Sequence, residues 1–66
     1  MIKAIITVGE AEYSCKVKDY YEIYDLMMEI TDNDHEESEN AASWCELACV
    51  GETYEFREGY IEIWEV

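Results

Sequence analysis

The chain has 66 residues and a formal charge of -13, because 17 acidic residues stand against only four basic ones. A chain of this length forms one small domain and buries only about 60% of its unfolded surface, which disfavours a deep substrate pocket and therefore an enzyme. Half of the residues are hydrophobic and 14% are aromatic, unlike the composition of a disordered acidic segment. We therefore expect residues 1–66 to form a single non-enzymatic domain.

Apolar runs, cysteines and charge together predict the cellular location. No apolar run has the roughly 18 residues of a membrane-spanning helix, and the apolar start gives way to Thr7 and Gly9 too early for a signal peptide. Three cysteines, an odd number without framework spacing, favour a reducing compartment. The acidic charge disfavours direct binding to nucleic acid or to an anionic membrane. We expect a cytoplasmic protein.

The first predicted element is a β-hairpin in which residues 2–8 and 11–17 alternate around Gly9-Glu10. A two-residue loop with glycine first is typical of a type II′ turn. This turn predicts one continuous apolar face, built from the cross-strand pairs Val8 with Ala11, Ile6 with Tyr13, Ala4 with Cys15, and Ile2 with Val17. The opposite face then carries Lys3, Thr7, Glu12 and Lys16.

Two helices are predicted next. Asp19 and Asp34 each precede an amphipathic segment, and each is followed three residues later by a glutamate, which is a variant of the capping box. The first helix is expected over residues 19–31. The second is expected to end near residue 50, where Gly51 would form a left-handed cap. Its predicted inward stripe consists of Ala41, Trp44, Cys45, Ala48 and Cys49.

A second hairpin is predicted over residues 53–66, with its turn at Glu58-Gly59. This register pairs Phe56 with Ile61, Tyr54 with Ile63, and Glu55 with Glu62. The last pair is unusual, because like charges directly opposite each other destabilise a sheet. The predicted fold is therefore α+β, in the order ββααββ, with a four-stranded antiparallel sheet and both helices on one face.

The acidic residues are unevenly distributed. Residues 19–56 contain twelve of the 17 acids and no lysine or arginine. On the first helix, acids recur at i, i+3, i+7 and i+10, which places them on one exposed stripe. A charge magnitude of roughly 2 to 8 suffices for the solubility of a small domain, so this excess indicates a basic partner. The predicted partner-binding carboxylates are Glu22, Asp25, Glu29, Asp32, Asp34, Glu36, Glu37 and Glu39.

Three aromatic residues are predicted to anchor the same partner. Tyr60 and Trp64 fall on the outer face of the second hairpin, and Tyr21 lies beside the acidic stripe of the first helix. Large exposed aromatic side chains next to charged groups are typical of interaction surfaces. An alternative interpretation is that these side chains only cover a sheet face.

In size, acidity and strand-plus-helix layout the chain resembles the small phage-encoded anti-CRISPR and anti-restriction proteins that mimic DNA. The resemblance implies an inhibitor, in the cytoplasm of a bacterial host, that occupies the DNA-binding or PAM-reading site of a basic DNA- or RNA-binding protein, namely a CRISPR effector or a related nuclease. It implies a protein partner, no direct nucleic acid and no catalytic step. The alternative function is a small intracellular adaptor or antitoxin-like module that pairs through an exposed sheet edge and a hydrophobic face, with incidental acidity. An exposed edge strand would also permit a homodimer through extension of the sheet.

Metal binding is a competing interpretation of a few residues. Cys15, Cys45, Cys49 and His35 supply enough ligands for a zinc site, but the helical thiols also fit core packing, which we favour. The acids that begin at Asp32 depart from an EF-hand, because Glu37 occupies its glycine position. We predict no cofactor and no metal.

Overall fold

A computed structural model describes residues 1–65. Four antiparallel strands form one sheet in the order β2-β1-β4-β3, so β2 and β3 are its edges. The prediction of an α+β fold in the order ββααββ is confirmed. The elements are β1 (Ile2–Val8), β2 (Ala11–Lys16), α1 (Tyr20–Ile30), α2 (His35–Leu47), β3 (Thr53–Phe56) and β4 (Gly59–Glu65).

The first hairpin forms in the predicted register, but β2 ends at Lys16 rather than at residue 17, so the predicted pair of Ile2 with Val17 lies outside the ladder. Val8 pairs with Ala11, and Ala4 pairs with Cys15. Gly9 has a φ of +60°, whereas Glu10, the second turn residue, does not have a positive φ. A positive φ at the first turn residue but not at the second fits the predicted type II′ turn.

Both predicted helix starts are confirmed. The Asp19 carboxylate accepts a 3.1 Å hydrogen bond from the Glu22 amide, and the Asp34 carboxylate accepts one of 3.1 Å from the Glu37 amide. These bonds satisfy amide groups that a helix start leaves unpaired. Local sequence therefore determines where each helix begins.

The end of α2 differs from the prediction. The helix stops at Leu47 rather than near residue 50, and Gly51 does not cap it. Gly51 has a φ of +95° inside a turn closed by a 3.0 Å hydrogen bond from the Glu52 amide to the Cys49 carbonyl. This position of the turn requires a positive φ, which glycine adopts without strain. A left-handed helix cap has the same requirement, so the glycine alone does not distinguish the two.

The register of the second hairpin also corrects the prediction, by two residues. The turn lies at Arg57-Glu58, so that Phe56 pairs with Gly59 and Tyr54 pairs with Ile61. A shift of two residues leaves every side chain on its predicted face. It removes the predicted Glu55–Glu62 pair, because Glu55 lies opposite Tyr60 and Glu62 lies opposite Thr53.

Gly59 serves close packing of the backbone rather than the turn. A Cβ atom added at this position would lie 1.9 Å from the carbonyl oxygen of Thr7 on β1. Such a contact is impossible for any other residue without a shift of the backbone. The junction between the two hairpins therefore depends on this glycine.

The core lies between the sheet and the two helices. One face of the sheet contributes Ala4, Ile6, Ile61 and Ile63, and the helices bury the following residues against it: Ile23, Met27, Ala41, Ala42 and Cys45. Trp44, Tyr54 and Phe56 extend this core as half-buried rings. Both helices occupy the same side, so the other face of the sheet is uncovered in the described chain.

Candidate functional site

The helices and their caps carry most of the negative charge. We use the name helix layer for residues 19–47, which contain ten acidic residues and no lysine or arginine. The other segments of the chain hold seven acids and all four bases. Within the helix layer, seven of the eight predicted partner-binding carboxylates are exposed: Glu22, Asp25, Glu29, Asp32, Asp34, Glu36 and Glu39.

The predicted stripe on α1 forms as expected. Glu22, Asp25 and Glu29 are exposed, whereas Ile23 and Met27 are fully buried on the opposite side of the helix. Because the stripe has no basic neighbour on its own helix, its carboxylates repel one another by a few tenths of a kcal/mol per pair. The stripe is a destabilising feature of the isolated helix.

Asp32 extends the stripe beyond α1, in an unusual backbone conformation. Asp32 has a φ of +56°. The amide of the next residue, Asn33, donates a 2.7 Å hydrogen bond back to the Met28 carbonyl in the last turn of α1. This is the geometry of a Schellman motif, in which the position of Asp32 normally holds glycine. An aspartate tolerates the left-handed region better than most side chains but less well than glycine.

The start of α2 carries the second group of acids. Asp34, Glu36 and Glu37 line a shallow depression together with Asn40. Carboxylates at a helix N-terminus are stabilised by the helix dipole, so their presence is partly explained by the stability of α2 itself. Glu46, an exposed acid near the other end of α2, belongs to the same layer but is absent from the predicted set.

Glu37 differs from the other predicted carboxylates, because it is tied to the sheet. Its carboxylate accepts a 2.6 Å hydrogen bond from the Tyr54 hydroxyl of β3, and its side chain is half-buried. Burial, followed by the bond to Glu37, raises the pKa of Tyr54 well above its usual value. This carboxylate fastens α2 to the sheet and is less accessible than its neighbours to a partner.

The three predicted aromatic anchors do not share one surface. Tyr21 lies on α1 within the helix layer and is 77% exposed. Tyr60 and Trp64 lie on β4, 40% and 52% exposed, and their side chains point to the uncovered face of the sheet. A single flat partner surface that contacts the acids of the helix layer can use Tyr21 as an anchor but cannot also reach Tyr60 and Trp64.

The four residues considered as a competing zinc site lie in different environments. Cys15 and Cys45 are buried, Cys49 is exposed, and His35 is exposed with its Nδ1 2.6 Å from the Tyr24 hydroxyl. Residues 1–65 contain no group of three or more histidine, cysteine, aspartate or glutamate side chains placed to share a metal ion. The core interpretation therefore describes Cys15 and Cys45 but not Cys49, which lies beyond the end of α2.

The two buried thiols are expected to be poor nucleophiles. Burial raises the pKa of Cys15 to about 11, with further contributions from Glu22 and Asp19, and raises that of Cys45 to about 12. A nucleophilic cysteine needs the opposite, a lowered pKa in an electropositive and accessible setting. These thiols contribute to packing and to the stability of the folded state.

Comparisons with known proteins give no family for this chain. No protein-family model, no curated protein and no solved structure matches it. Within residues 1–65, neither helix has the length and apolar composition needed to cross a membrane.

The uncovered sheet face is a second surface, which the predicted site includes only through Tyr60 and Trp64. We call it the open face, and its residues are Lys3, Ile5, Thr7, Glu12, Ser14, Lys16, Thr53, Glu55, Tyr60, Glu62 and Trp64. It holds two lysines and three glutamates, so it is close to neutral in a strongly acidic molecule. The alternation of β1 and β2 in the sequence already indicated its lysines, and the uncovered side follows once the helices are assigned to the apolar face.

Proposed function

We propose that the chain is a non-enzymatic inhibitor that binds the basic nucleic-acid-binding surface of a host defence effector, a CRISPR effector or a related nuclease, through its helix layer. The observation that carries this proposal is the charge of the helix layer, ten acids without one lysine or arginine. Binding takes place in the cytoplasm of a bacterial cell and requires no cofactor. The carboxylates occupy positions where the effector otherwise holds phosphates.

The carboxylates of α1 form a linear array that is less dense than the phosphates of one DNA strand. Along α1, successive acids of the stripe rise by about 4.5 to 6 Å, because an α-helix rises about 1.5 Å per residue. One strand of DNA carries one phosphate per roughly 3.4 Å of helix axis, and α2 adds a second group of charges beside the first. Binding to a groove lined by lysine and arginine then releases the counterions that the groove holds, as DNA does.

The stability cost of the helix layer supports a binding role. The α1 stripe is self-repulsive, and Asp32 occupies a backbone position that favours glycine. Neither feature stabilises the free protein, and a basic partner relieves the repulsion. Features that destabilise a fold locally are expected at functional surfaces.

The test is inhibition of purified CRISPR effectors and restriction nucleases, measured as loss of DNA binding and of DNA cleavage. The test variant combines Glu22→Lys, Asp25→Lys and Glu29→Lys. The matched control combines Glu10→Lys, Glu58→Lys and Glu65→Lys, which change the charge equally at turns and at a strand end outside the helix layer. We expect the wild-type chain to inhibit at least one effector, the control to inhibit it as well, and the test variant to fail.

Ionic strength gives an independent readout. Inhibition should weaken at least tenfold between about 50 mM and 200 mM salt, because contacts to phosphate-binding groups are strongly salt-dependent. Inhibition of no effector in the panel, or equal loss in the test and control variants, would contradict the proposal.

The adaptor or antitoxin-like function remains the second candidate, and the exposed Tyr60 and Trp64 of the open face favour it. An interface built on these rings should hold a partner equally well at low and high salt. A purified partner that binds with no salt dependence, and that Trp64→Ala releases, would replace the inhibitor proposal.

A further inference from the structure

The open face is unusual for one side of a two-layer domain, because large side chains lie on it without cover. Trp64 and Tyr60 are 52% and 40% exposed, and Ile5 lies half-buried between them on the neighbouring strand. Clustered exposed apolar side chains on a soluble protein are often functional. The question is which partner fits this face.

The strand register arranges the charges of the open face in rows. The row at one end of the strands contains Lys16, Lys3 and Trp64. The middle row contains Ser14, Ile5, Glu62 and Thr53. The row at the other end contains Glu12, Thr7, Tyr60 and Glu55. One end of the face is therefore basic and the other end is acidic.

The two end rows of this arrangement are complementary to each other. A two-fold axis that lies in the plane of the interface and runs across the strands reverses each strand of the second copy while keeping the strand order. Lys16 then faces Glu12 of the second copy, and Trp64 faces its Tyr60. Ile5 faces Ile5 across the axis. Opposite charges and large rings thus meet in symmetric pairs.

We propose that the open face is the contact surface of a homodimer, in which two sheets pack face to face and both helix layers point outward. The open face carries a formal charge of -1, whereas each copy carries -13. It is therefore a face at which two copies approach with little repulsion. The Cα extents of 29 × 23 × 16 Å limit this face to several hundred Å², which is at the lower end of specific interfaces, since these bury roughly 600 Å² per partner or more.

Pairing through the edge strand β2 is less compatible with the charges. Two acids at the start of α1, Glu22 and Asp19, lie near enough to Cys15 of β2 to raise the pKa of its thiol. Extension of the sheet through two β2 strands would bring these acids of both copies toward each other. Charge near an exposed edge is a common device that prevents such extension.

Glu62 lowers the affinity of the proposed dimer. It lies in the middle row, so the two-fold axis brings it close to Glu62 of the second copy. Like charges that face each other weaken an interface. A substitution that neutralises Glu62 acts in both copies and removes the repulsion. This feature makes an unusual prediction: removal of a charged side chain should tighten the dimer.

The experiment measures the dimer dissociation constant of the full chain by sedimentation velocity over a wide concentration range. Lys16→Glu should weaken the dimer at least tenfold, because it places like charges opposite each other at both Lys16–Glu12 contacts. Lys18→Glu is the matched control, since it makes the same charge change at an exposed residue after β2, outside the open face. Its effect should be much smaller.

A charge swap and a neutral variant make the test specific. Adding Glu12→Lys to Lys16→Glu should restore the affinity, because it rebuilds the opposite-charge pairs in reversed order. Glu62→Gln should tighten the dimer several-fold, whereas Glu29→Gln, an equal change on the helix layer, should have a smaller effect. Trp64→Ala should weaken the dimer, and its thermal unfolding provides the check that the monomer is folded.

The outcomes separate this proposal from others. A wild-type chain that is monomeric at every concentration overturns it, as does a double variant that fails to regain affinity. A dimer unaffected by both Trp64→Ala and Lys16→Glu uses another surface, such as the β2 edge, and also overturns it. The proposed inhibitor function is independent, because its test variants lie on the opposite side of the molecule.

Discussion

The helix layer and the open face are the two sides of one small domain, and they differ in charge. The helix layer contains ten acids and no lysine or arginine, whereas the open face nearly balances its charges. The helix layer carries Tyr21 as an exposed ring, and the open face carries Tyr60 and Trp64. The difference shows that net charge describes a molecule poorly when its surfaces differ, because each surface suits a different partner.

The largest expected effect comes from the junction that supports the open face. Gly59→Ala places a methyl group 1.9 Å from the Thr7 carbonyl, which belongs to the backbone of β1, so the clash is relieved only if a strand of the sheet shifts. We expect a loss of more than about 3 kcal/mol of unfolding free energy, enough to unfold a domain of this size. Gly9→Ala is the matched control.

Gly9 has a positive φ, but nothing lies within 4 Å of an added Cβ. The expected cost is therefore only about 1 kcal/mol, from backbone strain. Urea unfolding followed by circular dichroism measures both variants. Equal losses would mean that the contact between β1 and β4 does not depend on Gly59.

Alkaline pH should loosen the contact between the sheet and the helix layer. The pKa values of Cys15 and Cys45 are raised to about 11 and about 12 from 9.0. Their stabilising contribution is complete below pH 9 and is lost as the pH rises toward these values, because the unfolded chain releases its protons first. By pH 10 the loss should reach about 3 kcal/mol, roughly half from each thiol.

The pH dependence is measured as unfolding free energy from pH 8 to about pH 10.5, a window in which most of the difference in proton binding develops. Cys15→Ala with Cys45→Ala should flatten the curve, whatever its effect on absolute stability. Cys49→Ala removes an exposed thiol and is the matched control. The same steep decline in the double variant would assign it to other groups.

The link between α2 and β3 should be worth less. Tyr54→Phe removes the hydroxyl that donates to Glu37 and leaves a half-buried carboxylate without this partner. The expected loss is about 1 to 2 kcal/mol of unfolding free energy. Tyr24→Phe removes a hydroxyl that contacts the exposed His35, and should cost less than about 0.5 kcal/mol. Thermal unfolding of both variants decides whether the buried link matters more.

The smallest effect compares the two surfaces directly. Asp25→Lys replaces two like-charge contacts on α1 by contacts of opposite charge, so it should stabilise the fold by about 0.5 to 1 kcal/mol at low salt. Glu55→Lys makes the same charge change on the edge strand β3, where the expected effect is within about 0.5 kcal/mol of zero. The difference should shrink in 1 M salt, whose Debye length is about 3 Å. A stabilisation that survives high salt would reject charge repulsion as its cause.

Local chemistry made much of the fold predictable. Gly9 with the alternation of β1 and β2 determined the first register, and Asp19 and Asp34 determined both helix starts. The local pattern places the second hairpin two residues out of register, because glycine is typical of a turn and Gly59 follows the actual turn. The role of Gly59 is a contact with Thr7, more than 50 positions earlier in the chain, which no local pattern reports.

The candidate site was predictable in part for the same reason. Helical spacing places Glu22, Asp25 and Glu29 on one exposed stripe without knowledge of the fold. The engagement of Glu37 by Tyr54 depends on how α2 packs on β3, which is a tertiary contact. The separation of Tyr60 and Trp64 from the helix layer requires knowing which sheet face the helices cover.

The distribution of basic residues also determines how the molecule reacts with chemical reagents. Its lysines, Lys3, Lys16 and Lys18, lie on β1, on β2 and directly after β2, and the helix layer has none. Amine coupling to a sensor chip therefore attaches the protein by its sheet side and leaves the acidic helices facing the solution. Trypsin finds no site between Lys18 and Arg57, so both helices leave the digest in a single peptide.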